Sequence, residues 1–173
     1  MNTTNTKNAS WIGLAILCAL AFLNYLDRNL LYPILGMIAK DLHLSEPELG
    51  ALATGFFVVY AVSAPVFGYV SDRFTRRSVL LLSLLFWSAV TALSGTAGSL
   101  ASLLVWRSLT GLGEGGYFPT AISLIGDLFG KRQRGMAIAI HGVCATLGGS
   151  AGYAIAGVIA QAFGWRAPFF ISV

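Results

Sequence analysis

The sequence predicts an all-α integral membrane protein, and three observations support that fold class. Hydrophobic residues make up 56% of the 173 positions, and only 10% are charged. The mean hydropathy is +0.74, whereas about one-quarter of the residues in a soluble domain are charged. The apolar residues also form long runs, and roughly 20 such residues span about 30 Å of hydrocarbon. We therefore expect several membrane-spanning helices joined by short polar loops.

The positive charge of the chain has an explanation that needs no nucleic acid. The formal net charge is +4, but the basic residues fall in short clusters between apolar runs. That distribution is typical of the cytoplasmic loops of membrane proteins and not of a basic recognition face. The expected surroundings are the lipid bilayer, and no nucleic-acid partner is expected.

The first predicted span contains two charges. Residues 1–10 form a polar tail on the cytoplasmic side, and one long span is predicted over about 11–39. Asp27 and Arg28 lie inside that apolar run. Charged residues inside a membrane are costly and rare, and they indicate a functional site by default.

A helix start signal precedes the second span. Ser45-Glu46-Pro47-Glu48 has the pattern of a capping box with proline in the first helical turn. The span itself is predicted over about 49–70. It ends before a short basic loop at Ser71–Arg77.

Four more spans follow, and the fourth span of the chain is again charged. They are predicted over about 78–96, 100–129, 136–163 and 167–173, the last of them truncated. Five complete spans and the start of a sixth suggest that the chain continues in a larger protein. Arg107 and Glu114 lie seven positions apart in the fourth span, which places them on one helix face, two turns apart.

The basic loops predict the orientation. Three arginines lie in the loop after the second span and three basic residues lie in the loop after the fourth. The loops on the other side carry only Lys40 and Arg166. Because positive loops stay in the cytoplasm, we expect a multi-pass protein of the inner or plasma membrane with a cytoplasmic N-terminus.

Several residues inside the spans have structural interpretations. Cys18 and Cys144 occur without a CxxC motif and are interpreted as small core residues. Gly148 and Gly152 have the small-xxx-small spacing of close helix packing. His141 is expected to be a packing or interfacial residue. Prolines that would bend spans are Pro33, Pro65 and Pro119.

The loop after the second span carries a recognisable motif. It reads Gly68-Tyr69-Val70-Ser71-Asp72-Arg73-Phe74-Thr75-Arg76-Arg77. This segment resembles the major facilitator superfamily signature G-x-x-x-D-R-x-G-R-R/K, with matches at Gly68, Asp72, Arg73, Arg76 and Arg77. It departs from the signature at Thr75, where the pattern prefers glycine.

The resemblance implies an architecture and a role for the motif. The chain would form the N-terminal six-helix bundle of a major facilitator fold, built from two inverted three-helix repeats. The substrate site would lie between this bundle and a missing C-terminal half. The motif would act as a conformational latch, completed by Asp127 or Arg134. An ordinary surface ion pair, worth about 0 to 1 kcal/mol, is the alternative interpretation of these charges.

The charged spans resemble two branches of the superfamily. Asn24-Tyr25-Leu26-Asp27-Arg28, together with Arg107 and Glu114, is similar to the anion:cation symporters and to the spinster-like transporters. The first branch moves organic anions such as sugar acids, and the second is associated with lysolipids and sphingoid phosphates. The expected substrate is therefore a small anionic or amphiphilic molecule.

We predict a secondary active transporter that is coupled to protons. Burial and a neighbouring cation act in opposite directions on the proton affinity of a carboxylate, so Asp27 and Glu114 are the predicted proton-coupling residues. Arg28 and Arg107 are predicted to bind the anionic group of the substrate. Further candidate lining residues are Asn24, Tyr25, Asn29, Tyr32 and Tyr117. No metal and no cofactor beyond the coupling proton is expected.

Other functions remain open at this point. The preferred substrate is a sugar acid or related carboxylate, and the alternative is a lysolipid or another amphiphilic anion. An intramembrane enzyme would need an activated nucleophile or a metal cluster, and the two histidines, His43 and His141, are expected at opposite sides of the membrane. A membrane receptor without transport activity is a third possibility.

Overall fold

The computed structural model describes residues 3–172, and this part of the chain is almost entirely helical. Its helices follow the predicted order of spans. They are α1 (Thr3–Asn29), α2 (Leu31–Leu42), α3 (Glu46–Arg73), α4 (Arg76–Ser94), α5 (Leu100–Leu128), α6 (Lys131–Phe163) and α7 (Ala167–Ile171).

The first predicted span is divided into two helices and begins earlier than expected. α1 ends at Asn29 and α2 starts at Leu31. Pro33 has no N–H to donate to the Asn29 carbonyl, and a proline ring clashes with the carbonyl four residues before it, so the break precedes the proline. α1 begins at Thr3 and not near residue 11, so most of the predicted polar tail is helical. Residues 1 and 2 of that tail lie outside the described residues.

The connection between α2 and α3 contains the expected cap. The carboxylate of Glu48 accepts hydrogen bonds from the Ser45 backbone N–H at 2.8 Å and from the Ser45 hydroxyl at 2.6 Å. α3 therefore starts at Glu46, directly after its cap.

The loop between α3 and α4 is shorter than the sequence suggests. α3 continues to Arg73 and α4 starts at Arg76, which leaves Phe74 and Thr75 between them. Thr75 has φ −65° and ψ 120°, a conformation open to any residue. The departure from glycine at this position therefore imposes no backbone strain.

α5 lies at the centre of the bundle, packed between α3 and α4. Within residues 3–172, four helical segments are long and apolar enough to cross a membrane: Asn8–Leu42, Glu46–Arg73, Arg76–Ser94 and Lys131–Phe163. α5 has 29 residues, which at 1.5 Å per residue is also long enough. It carries Arg107 and Glu114, and both are buried in the bundle.

The second major contact joins α1 to α6. A Cβ atom added to Gly148 would overlap the carbonyl of Phe22, and one added to Gly152 would overlap the carbonyl of Leu26. The two backbones can therefore meet only because these positions lack side chains, in agreement with the small-xxx-small interpretation.

A polar cluster fastens the end of the bundle at which α2 ends. The carboxylate of Asp41 accepts hydrogen bonds from Trp165 Nε1 at 3.0 Å and from the Arg166 guanidinium at 2.9 Å. Arg166 also donates to the Ala97 carbonyl at 3.2 Å. The short α7 is thereby tied to α2 and to the turn between α4 and α5.

Candidate functional site

An ion pair links α1 to α5 in the interior of the bundle. Arg28 Nε donates to Glu114 Oε2 at 2.8 Å. The Glu114 side chain is fully buried and that of Arg28 is 11% exposed. The sequence predicts Glu114 beside Arg107 on its own helix, but its hydrogen-bond partner is Arg28 from another helix. A buried pair of this kind is held at a high desolvation cost, which is typical of functional charges.

Aromatic rings surround the Arg28 guanidinium. Its central carbon lies 4.5 Å from the ring centre of Tyr60, 4.7 Å from that of Tyr25 and 5.4 Å from that of Phe56. Cations within about 6 Å of a ring centre are attracted to the ring face. The rings therefore stabilise the positive charge of Arg28 in addition to Glu114. Phe56 and Tyr60 were not predicted, because aromatic residues are common in any apolar span.

Arg107 is the second buried arginine, and it is incompletely paired. It is 2% exposed, and its guanidinium lies 5.0 Å from the Phe56 ring centre. Within residues 3–172, its Nε and Nη1 atoms have no hydrogen-bond partner. Buried donors are normally satisfied, and an unsatisfied one is costly. Arg107 thus offers two N–H directions in which an anion could bind.

Asp27 faces a different side of α1 from its neighbour Arg28. It is 2% exposed, and its Oδ2 atom accepts a hydrogen bond from Trp87 Nε1 of α4 at 3.2 Å. Successive helical residues point about 100° apart, so adjacent charges need not pair. Trp87 is a third residue that the sequence did not single out.

The predicted lining residues have different surroundings. Asn24 is 1% exposed, and within the described part of the chain its amide has no hydrogen-bond partner. It lies one turn before Arg28 on the same face of α1. Tyr32 is half-buried on α2. Tyr25 is half-buried and stacks on Arg28.

Tyr117 belongs to a separate buried network. Its hydroxyl donates to the Leu17 carbonyl at 2.8 Å and lies 2.9 Å from Nε2 of His141. Since a hydroxyl has one proton to donate, Nε2 of His141 is the donor to Tyr117. The Tyr117 ring also packs edge-on against Trp87. Tyr117 therefore packs against Trp87 and connects α1, α5 and α6.

A polar groove of about 600 Å³ opens between α1 and α6 next to the charged site. Tyr25 contributes to both, since its ring contacts Arg28. The lining residues are Tyr25, Asn29, Thr146, Gly149, Ser150 and Tyr153. The charged site thus continues into a surface rich in hydroxyl and amide groups.

The motif residues form an ionic cluster at the end of the bundle where α3 meets α4. Arg76 forms ion pairs with Asp127 at the end of α5 and with Asp72, the latter at 3.6 Å. Arg76 also donates to the Ser123 carbonyl at 3.1 Å. From α6, Arg134 donates to the Gly126 carbonyl at 2.8 Å. The four helices α3, α4, α5 and α6 therefore meet through charged side chains.

The other motif residues take less part in this cluster. Arg73 is exposed and stacks on Tyr69, with its guanidinium 4.9 Å from the ring centre. Arg77 is exposed on the first turn of α4. Gly68 lies against Pro119 of α5, where an added Cβ would be 3.9 Å from the proline side chain.

Comparison with known proteins decides the family. The model of the Major Facilitator Superfamily matches residues 17–173. The chain belongs to the major facilitator superfamily. Among solved structures, this superfamily member is similar to a bacterial homolog of the human lysosomal transporter Spinster in an inward-facing and occupied conformation. The TM-score is 0.86 at 26% identity, over 95% of this chain and 41% of the other.

Two curated relatives are similar to this superfamily member in sequence. The sphingosine-1-phosphate transporter SPNS2 of Xenopus tropicalis is 35% identical over 165 residues, which covers 94% of this chain and 32% of the relative. The probable sulfoacetate transporter SauU of Cupriavidus necator is 34% identical over 158 residues, covering 91% and 37%. Both are named as transporters and neither as an enzyme. The chain thus spans about a third of the length of the curated relatives it matches.

Proposed function

We propose that this chain supplies the anion-binding and proton-binding half of a secondary active transporter for organic anions. The observation that carries the proposal is the buried Arg28–Glu114 pair next to the incompletely paired Arg107. The names of two relatives, which specify the anions sphingosine-1-phosphate and sulfoacetate, support an anionic substrate. The remaining part of the substrate site would come from a second half of the transporter.

The geometry suggests how proton and anion could be coupled. While Glu114 is ionised, it holds the guanidinium of Arg28. When Glu114 takes up a proton, Arg28 loses its counter-ion and gains affinity for an anion. The substrate could then bridge Arg28 and the free N–H groups of Arg107. Proton binding and anion binding would favour each other, which is the requirement for symport.

Asp27 provides a second carboxylate for the same mechanism. It is buried, and within residues 3–172 no arginine lies at ion-pair distance from it. Its hydrogen bond from Trp87 fixes the carboxylate toward α4. We propose that Asp27 binds a coupling proton, with Glu114 as the site that competes directly with the substrate.

The ionic cluster of Asp72, Arg76 and Asp127 is proposed to act as a conformational latch. It joins the end of α3 and the start of α4 to the end of α5, so movement of these helices would break exposed ion pairs of low cost. The orientation that we propose places this cluster and the N-terminus in the cytoplasm, because the basic loops lie at this end.

An amphiphilic anion is the second candidate substrate, and one feature favours it. An apolar cleft of about 200 Å³ lies between α1, α6 and α7. It reaches Leu26, the residue before Asp27, and could take an alkyl chain while the charged group binds the arginines. Its lining residues are Leu23, Leu26, Leu30, Ile155, Ile159, Pro168, Ile171 and Ser172.

Transport by the full-length protein in proteoliposomes tests the proposal. An imposed inward pH gradient should drive accumulation of a radiolabelled organic anion, and a protonophore should abolish it. Gluconate, sulfoacetate and sphingosine-1-phosphate serve as three probes that separate small from amphiphilic anions. Glu114→Gln should lose accumulation driven by the pH gradient while keeping anion exchange. Full gradient-driven accumulation by this variant would overturn the role of Glu114.

A further inference from the structure

Two thiols meet between α1 and α6, outside the charged site. Cys18 is buried on α1 and Cys144 is half-buried on α6, and both are free cysteines. Both cysteines belong to one cluster of packed side chains in the bundle. The sequence alone indicated two unrelated core residues, because the positions are far apart in the chain.

The register of the two helices places these residues opposite each other, independently of their side chains. The backbone of α6 meets α1 at Gly148 beside Phe22, and again at Gly152 beside Leu26. Each contact advances by the same one-turn step on both helices, so α1 and α6 run parallel and in a fixed register. One turn before the first contact, the same register pairs Cys18 with Cys144.

We propose that Cys18 and Cys144 are a redox-active pair that forms a disulfide joining α1 to α6 in the presence of a peroxide. A disulfide requires Cα atoms about 4.4 to 6.8 Å apart. Few helix pairs come that close, but the glycine contacts one and two turns away bring these two backbones together. The same register places Cys18 and Cys144 on the facing sides of the two helices.

The reaction needs one peroxide for each disulfide. Hydrogen peroxide oxidises one thiol to a sulfenic acid and releases water. The sulfur of the second cysteine then attacks the sulfenic sulfur, the S–S bond forms, and the hydroxyl leaves with the thiol proton as a second water. Buried thiols react slowly, so a small, membrane-permeant oxidant is required. Once the first thiol is oxidised, the adjacent thiol completes the bond before a further oxidation step.

The consequence concerns the helix that carries the charged site. Asp27 and Arg28 follow Cys18 on the same helix α1. A covalent link at Cys18 would hold that helix against α6, whose residues line the polar groove. The disulfide would thus restrict any separation of α1 from α6, and the rate at which it forms would depend on how close the two helices are.

Oxidation of the full-length protein in membranes tests the proposal. The sample is treated with hydrogen peroxide, remaining thiols are alkylated in denaturant, and tryptic or chymotryptic peptides are analysed by mass spectrometry. We expect a peptide pair linked through Cys18 and Cys144, which dithiothreitol separates. Both thiols should be lost from alkylation together and be recovered together on reduction.

A matched variant separates built-in proximity from random encounter. In the Cys144→Ser/Val143→Cys variant, the thiol moves to the neighbouring position, where Val143 is 58% exposed. Linking to Cys18 should then be at least tenfold slower, with the same gel-filtration profile. The proposal is overturned if the native pair stays fully alkylatable after peroxide, if the thiols become sulfinic acids independently, or if the displaced cysteine links equally fast.

Discussion

Arg28 and Glu114 are 86 positions apart in the chain, yet Nε of one lies 2.8 Å from Oε2 of the other. The carboxylate is fully buried, and α1 is thereby joined to the centre of α5. Arg107, on the same helix as Glu114, makes no ion pair within residues 3–172. The interior therefore contains one neutralised arginine and one whose charge is still available.

Removal of either member of the Arg28–Glu114 pair should destabilise the protein more than removal of both. Glu114→Gln leaves a buried guanidinium without its counter-ion, which costs about 3 to 5 kcal/mol for such pairs. Arg28→Gln/Glu114→Gln removes both charges and should recover much of this loss. Thermal unfolding of the three variants in detergent, together with the parent protein, measures the coupling. Additive losses in the double variant would contradict a direct pair.

Arg107→Lys should weaken anion binding although it keeps the positive charge. The planar guanidinium presents several donors in a fixed fork, whereas an ammonium group is a compact point charge. We expect the Kd of the transported anion to rise about tenfold, which corresponds to roughly 1.4 kcal/mol. Equilibrium binding to the purified full-length protein measures the change. Lys131→Arg, on the exposed first turn of α6, is the control and should leave the Kd unaltered.

Trp87→Phe should destabilise the protein through Asp27. The change keeps an aromatic ring against Tyr117 but removes the N–H that binds Oδ2 of Asp27. A hydrogen bond to a charged group contributes about 1.5 to 3 kcal/mol, and a neutral one about 0.5 to 1.5 kcal/mol. If Asp27 is ionised, Trp87→Phe should cost less in an Asp27→Asn background. Chemical unfolding of the parent, the two single variants and the double variant distinguishes an ionised from a neutral Asp27. An equal loss of unfolding free energy for Trp87→Phe in both backgrounds would argue for a neutral Asp27.

The sequence indicated which charged residues are unusual, but it did not indicate which of them pair. Asp27, Arg28, Arg107 and Glu114 stand out because charges in apolar spans are rare, and all four lie in the interior of the bundle. Helical spacing, however, relates only residues of one helix. It placed Glu114 with Arg107 and could not indicate that α1 would bring Arg28 to Glu114.

Aromatic partners and the first helix break were harder to predict, for physical reasons. Phe56, Tyr60 and Trp87 contact the charged residues, but apolar spans contain many aromatic residues, so their roles depend on tertiary packing. Pro33 indicated a bend in the first span, and the interruption at Leu30 agrees with the carbonyl that the proline leaves without a donor. The helical start at Thr3 runs against the polar composition of that segment.

Asp127→Asn and Asp72→Asn should have unequal effects on the ionic cluster. Arg76 pairs with both carboxylates, but Asp127 at the end of α5 lies closer than Asp72 at the end of α3. We expect Asp127→Asn to alter the conformational equilibrium of the full-length transporter, and Asp72→Asn to alter it less. Because exposed pairs contribute about 0 to 1 kcal/mol, the population of each state should change by less than about fivefold. Spin-label or fluorophore distances across the two halves measure these populations, and equal effects would contradict the assigned geometry.

Gly148→Ala should disrupt the contact between α1 and α6, whereas Gly142→Ala should not. A Cβ at position 148 would overlap the carbonyl of Phe22, and the obstacle is backbone that cannot rotate away. Overpacking of this kind costs about 1 to 3 kcal/mol. At Gly142 an added Cβ would have no neighbour within 4 Å, and alanine is the better helix former in solution, so this variant controls for a general effect of alanine on α6. The melting temperature in detergent should fall for Gly148→Ala and not for Gly142→Ala.

The displacement of α1 from α6 in Gly148→Ala should also separate Cys18 from Cys144, so this variant should slow the peroxide-dependent link between them. A lower melting temperature with an unchanged linking rate would mean that the register of α1 and α6 does not depend on the glycine contact.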